Sequence, residues 1–139
     1  MAHTIGLALD CHHPTRLAEF WKLALGYEDE PPPPPFKTRQ EWAAQFDDPD
    51  DDQDDGAWLH DPAGVGPKIF LQQVKEPKTE KIRLHLDIRV SLEASKADRW
   101  PTIQGKVAQL VEAGGRVVGE HPEHHVVMAD PEGNEFCVC

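Results

Sequence analysis

Two stretches decide how this chain is read: Asp61-Pro62-Ala63-Gly64 and Asp130-Pro131-Glu132-Gly133. Each is a turn signal, with Asp-Pro opening the turn and glycine closing it. The segments around them match as well. Ahead of the first turn, Ile5, Leu7 and Leu9 alternate with Gly6, Ala8 and Asp10, the period of a strand with one apolar face. Pro14 then suits a first helical turn, Leu17, Ala18, Phe20, Trp21, Ala24 and Leu25 form an apolar stripe, and Gly26 closes the helix. Residues 57–60 and 68–74 read as strands on either side of the turn, the second with Ile69 and Leu71 on one face and Lys68, Phe70 and Gln72 on the other.

Ahead of the second turn the order restarts. Ile82, Leu84, Leu86, Ile88 and Val90 alternate with Arg83, His85, Asp87 and Arg89, which predicts a strand over 82–90. A helix is expected within 98–113, with Val107, Leu110 and Val111 apolar and Gly114-Gly115 as its stop. Strands follow at 116–119, 125–129 and 135–139. Each half is therefore strand, helix, short strand, strand, turn, strand. A half of about 65 residues buries too little surface to stand alone, so the two are expected to pack together. The expected fold is α+β, two tandem βαβββ modules that form a concave, partly open sheet cavity with helices on the outer face. The whole chain, 1–139, is expected to be one domain, with module one at 1–76 and module two at 82–139.

The halves differ by an insertion at 29–55. It holds five consecutive prolines, Pro31 to Pro35, expected to be extended and stiff. A short helix is expected over 38–46, with Thr38 as cap and Glu41 three residues on. Seven aspartates fall between positions 47 and 55. The chain has 14 Lys and Arg against 25 Asp and Glu, a net charge of −11, and that run accounts for all but −4 of it. The acidity is thus local and reads as a solvated loop. Net acidity argues against nucleic acid and anionic membrane as partners, since both need basic patches. No apolar run approaches the roughly 20 residues of a membrane span, the N-terminus has no signal-peptide pattern, and three cysteines suit reduced thiols, so a cytoplasmic location is expected.

The repeat with its paired Asp-Pro-x-Gly turns resembles the glyoxalase/bleomycin-resistance, or vicinal oxygen chelate, superfamily, and within it the glyoxalase-like domain group. The resembling segments include Leu17-Ala-Glu-Phe-Trp, Leu25-Gly-Tyr, the strand after Asp61-Pro-Ala-Gly, Arg83-Leu-His-Leu-Asp and Asp130-Pro-Glu-Gly-Asn-Glu-Phe, and together they cover nearly the whole chain. The resemblance implies the fold, a cavity and a homodimer. It does not fix a reaction, because members include metal-dependent isomerases, lyases and dioxygenases as well as metal-free proteins that sequester antibiotics.

In the metalloenzyme members four ligands sit on the concave faces of four strands. By motif, those positions fall here near Gly6, near Phe70 with Gln72 next on that face, on His85, and near Cys137. Glycine and phenylalanine offer no donor, so no metal is expected. If a divalent metal binds, the set would be His85, Gln72, Glu135 and Cys137, with the thiolate favouring a soft or borderline ion. The expected function is binding of a small organic molecule in the cavity. His85, Asp87, Gln72, Phe70, Trp58, Asp10, Glu135 and Cys137 are the candidate lining, and His85 is the candidate general base. Asp87 is alternatively paired with a neighbouring arginine, Arg83 or Arg89. Trp42 is a further candidate for a cavity wall or lid. The competing functions are a metal-dependent lyase, isomerase or dioxygenase with a rearranged site around His85, and an interaction module that uses the acidic loop.

Overall fold

A computed structural model describes residues 1–46 and 56–139. The seven-aspartate run lies outside the described residues. The elements in order are β1 (Gly6–Cys11), α1 (Pro14–Leu25), β2 (Glu28–Asp29), α2 (Arg39–Ala43), β3 (Gly56–His60), β4 (Lys68–Gln73), β5 (Asp87–Ile88), α3 (Arg99–Glu112), β6 (Arg116–His121), β7 (His125–Ala129) and β8 (Glu135–Val138). They form two four-stranded sheets of the same topology, β1-β4-β3-β2 and β5-β8-β7-β6, in which the outer pair β1–β4 or β5–β8 is parallel and the rest antiparallel. The fold is α+β with two βαβββ modules, as the repeat predicts. Among the described residues, no helix is long and apolar enough to cross a membrane.

The repeated turn has one geometry in both halves, and the aspartate side chain makes it. Asp61 accepts the amide of Ala63 at 2.8 Å and that of Val65 at 3.1 Å. Asp130 accepts the amide of Glu132 at 2.9 Å and that of Asn134 at 3.0 Å. Gly64 and Gly133 take positive φ, 71° and 88°, which a side chain would resist. The second turn also joins the modules. Asp130 is buried and accepts the indole N–H of Trp21 on α1 at 3.0 Å. Burial pushes its carboxyl pKa up, against the donated hydrogen bonds that pull it down. Glu132 accepts the amides of His12 and His13, where α1 begins without a capping side chain of its own.

The core lies between the helices and one face of each sheet. Leu59, Ile69 and Leu71 from the first sheet and Val126, Met128, Phe136 and Val138 from the second meet Leu17, Phe20 and Trp21 of α1 and Ile103 and Leu110 of α3. Phe20, Trp21 and Phe136 form an edge-on aromatic cluster with centroids 5.1–5.8 Å apart, across the boundary between modules. The opposite face of each sheet is the concave one.

Several local expectations are met. Thr38 caps α2 by accepting the Glu41 amide at 3.1 Å, and Gly26 ends α1 in the left-handed region at φ 72°. Others are corrected. The strand expected over 82–90 is regular only at β5. Its backbone contacts with β8 run from Leu86, whose carbonyl accepts the Cys137 amide, to Val90. Leu84 is exposed, because with no sheet partner over 82–85 it has no core to meet. Ile5 precedes β1 and is likewise exposed, and Val111 faces solvent on α3. The proline run is not uniformly extended: the Phe36 amide donates to the Pro33 carbonyl, which bends the chain there.

Candidate functional site

The two concave faces differ. On the first sheet, Trp58 and Phe70 are register partners of β3 and β4 and stack at 5.0 Å. α2 lies over them. The Arg39 guanidinium sits 4.2 Å from the Trp58 ring centre and 5.1 Å from that of Trp42, and Trp42 also packs edge-on against Trp58 at 5.3 Å. Glu30, half-buried, faces Arg39 and Lys68. Desolvation lowers the Arg39 pKa, and Glu30 opposes that shift. Around Trp58 and Phe70 this face is covered by α2 side chains, while Gly6, Ala8 and Asp10 on its β1 side line open grooves.

The second sheet leaves its concave face open. Register puts Asp87 of β5 beside Cys137 of β8. His85 precedes β5 on the same face, and its Nδ1 lies 3.4 Å from the Asp87 carboxylate. The donor atoms of His85, Asp87 and Cys137 all lie within 4.8 Å of one another. A groove of about 290 Å³ runs over them, lined by His85, Asp87, His124, His125, Cys137 and Cys139. It shares Asp87, His124 and Cys139 with a larger groove of about 460 Å³ that continues past Arg89 and Arg99. Burial first, and then the Asp87 carboxylate, raise the Cys137 pKa. The same two causes raise that of Cys139, and Arg89 partly offsets the rise there. The side chain within ion-pair distance of Asp87 is the His85 imidazole, and among the described residues no such contact with Arg83 or Arg89 is present.

The expected lining residues are thus divided among four places. His85, Asp87 and Cys137 come together in the open groove. Trp58 and Phe70 belong to the part covered by α2. Asp10, paired in register with Gln72, lines a separate groove of about 370 Å³ beside the 74–84 segment. Glu135 is engaged elsewhere: it accepts the Ile82 amide at 2.9 Å and pairs with Lys78 at 3.0 Å. The Ile82 bond first, with help from Lys78, holds its pKa at about 2. Of the four positions expected for metal ligands, Gly6 has no side chain and Phe70 is packed into the aromatic stack, so the family's four-ligand site does not fit these residues.

His124 and His125 were missed by the sequence reading. The signal was present in the hairpin register. Val127 pairs with Cys137, so positions an even number away, His125 and Cys139, share that face.

A glyoxalase-like domain model matches residues 6–139. The chain belongs to the glyoxalase-like domain family. No curated protein matches it. Among solved structures, this glyoxalase-like chain is similar to a possible glyoxalase from Bacillus cereus, at 17% identity and a TM-score of 0.63, over 99% of this chain and 98% of the other. It is also similar to a glyoxalase/bleomycin resistance protein/dioxygenase family enzyme from Burkholderia phytofirmans, at 15% identity and 0.59, over 95% and 93%. A third is a variant of the fosfomycin resistance protein FosX from Listeria monocytogenes in complex with Mn(II) and 1S,2S-dihydroxypropylphosphonic acid, at 8% identity and 0.64, over 99% and 91%. At these identities the likeness shows a shared fold.

The Glu135 clasp gives a pH-dependent prediction. Its folded pKa of about 2 lies below the ordinary 4.5, so its contribution is complete above pH 4.5 and fades as pH falls toward 2. Glu135→Gln should cost about 1 kcal/mol at pH 7, allowing for solvent screening at this partly open site. In urea titrations across pH, the difference from the parent protein should shrink below pH 4.5. A constant difference down to pH 2 would count against the clasp.

Proposed function

We propose that this glyoxalase-like protein binds a small polar organic molecule in the groove of the second sheet and works without the family's four-ligand metal site. The observation that carries the reading is the polar cluster at the second sheet: the β3–β4 part of the first sheet is packed by Trp42, Trp58, Phe70 and Arg39, while the second sheet gathers His85, Asp87, His124 and Cys137 around an open groove. Polar anchors in a concave site fix orientation, and an imidazole held by a carboxylate is suited to accept a proton from a ligand hydroxyl or acid. Arg89 and Arg99 at the far end provide an anionic group with a partner, alongside Asp87 and Glu123. The FosX neighbour holds a small phosphonate, a ligand of the size this groove admits. A cytoplasmic homodimer is part of the same proposal; the dimer rests on family resemblance and the location on the cysteine usage and the N-terminal sequence.

The test is a titration of the metal-free protein with a panel of small carboxylates, phosphonates and amino acids, followed by amide correlation spectra. Shifts should cluster at residues 85–89, 124–125 and 137–139, and His85→Ala should weaken binding of the responding compound by about tenfold, the value of one charged hydrogen bond. Shifts confined to the face under α2 would refute the assignment.

A second reading, a metal-dependent enzyme with a rearranged site, is favoured by one observation, the convergence of His85, Asp87 and Cys137.

A further inference from the structure

We infer that the ligand class of the second-sheet groove is a zwitterion of the α-amino acid type with an apolar side chain, and that Glu123 is the residue that selects it. The inference rests on the assignment of that groove as the ligand site. Three elements wall its larger part, of about 460 Å³. β5 supplies Asp87 and, just beyond its end, Arg89. The first turns of α3 supply Arg99 and Ile103, four residues apart and so on one helix face. The hairpin between β6 and β7 supplies Glu123 and His124. Both signs of charge therefore meet in one concavity, and they do not cancel one another. Among the described residues Arg89, Arg99 and Glu123 have no ion-pair partner, while Asp87 faces His85. Guanidinium groups without a counterion are suited to a carboxylate, and a carboxylate without one is suited to an ammonium. Leu92 and Ile103 add apolar surface to the same lining.

The backbone singles out Glu123. The His124 amide donates to the His121 carbonyl at 3.0 Å, which closes a tight turn with Pro122 and Glu123 at its centre. Glu123 has φ 66°, and among the described residues it is the one non-glycine residue with positive φ. With proline before it, this is the pattern of a type II turn, whose third position favours glycine or asparagine because a larger side chain crowds the backbone there. Glutamate adds nothing to such a turn, and it finds no ionic partner within the described residues. Backbone strain of this kind is held where the side chain serves another purpose. Here the residue lines the groove that also holds the two arginines. A plain anion entering it would meet Asp87 and Glu123 as repulsion, and a plain cation would meet Arg89 and Arg99. A molecule that carries both charges avoids both penalties.

The experiment is a calorimetric titration of the full chain with the proteinogenic L-amino acids. The tightest binder is then compared with the matched acid that lacks the amine and the matched amine that lacks the carboxylate; for leucine these are 4-methylpentanoate and 3-methylbutylamine. An apolar amino acid should bind at least about tenfold more tightly than either half-molecule, the worth of one charged hydrogen bond. Glu123→Gln removes the charge and keeps the strain, whereas Glu123→Asn removes both. Each should weaken the amino acid by about tenfold and leave the matched carboxylate bound as well as before or better. Glu123→Asn should also melt at a higher temperature than the parent, and Glu123→Gln should melt with it. The position is exposed, so both variants should fold. A carboxylate that binds as tightly as its amino acid overturns the inference, as does amino acid binding that survives Glu123→Gln. If no amino acid binds while a carboxylate or phosphonate still shifts the groove amides, the inference falls and the groove assignment stands. If neither class binds there, both fall together.

Discussion

Asp130→Ala should lower the unfolding free energy by about 3 kcal/mol or more, seen as a lower urea midpoint at unchanged slope. Five hydrogen bonds from four groups end on this carboxylate: one each from the amides of Glu132 and Asn134 and the Trp21 indole, and two from the Asn134 side chain. Alanine would leave the indole N–H with no acceptor in a buried site, which alone costs roughly 1–3 kcal/mol. Asp61 is the internal control. It makes the same turn but is not fully buried and holds no group from the other module, so Asp61→Ala should cost far less. Equal losses at the two positions would mean that the turn itself, and not the buried link to α1, carries the effect.

Phe136→Ala should destabilise by about 3–5 kcal/mol, the cost of emptying a large aromatic site in a core. The ring is almost fully buried and touches both Phe20 and Trp21. These contacts join β8 of the second module to α1 of the first, so the two modules should lose stability together, in one transition. Phe136→Leu keeps most of the volume and should cost well under half as much. The check is denaturant unfolding followed by both tryptophan fluorescence and far-UV circular dichroism. A variant whose two signals separate would show that the halves fold independently, contrary to this packing.

Periodicity and the repeated turn made the architecture legible. Alternating Ile69, Leu71 and Phe70, the stripe from Leu17 to Ala24 and the glycine stops are local signals, and the structure follows them. The 82–85 segment shows where such signals fail. Its alternation is that of a strand, but a strand needs a partner, and pairing with β8 begins only at Leu86. The site was legible in part. His85, Asp87 and Cys137 could be placed on one face because register follows from alternation. Glu135 shares that face, yet Lys78 and the Ile82 amide take it away, and those contacts belong to a loop whose path no pattern predicts. The covering of Trp58 and Phe70 was equally hidden, because it depends on where α2 settles.

The aromatic packing under α2 limits the changes that the first sheet can accept. Gly6 is uncrowded: a Cβ there would lie 3.8 Å from the Lys68 carbonyl, an ordinary contact. Position 70 is different. A methyl group on Gly56 would already strike the Phe70 ring, so β3 has given up a side chain to let that ring lie flat under Trp58. A donor at position 6 would meet no obstacle near its Cβ, whereas a donor at position 70 would remove the ring on which Trp58 stacks and so disturb the packing of Trp58, Trp42 and Arg39. New polar chemistry is therefore easier to install in the second half, where donor side chains already face a groove, than at position 70.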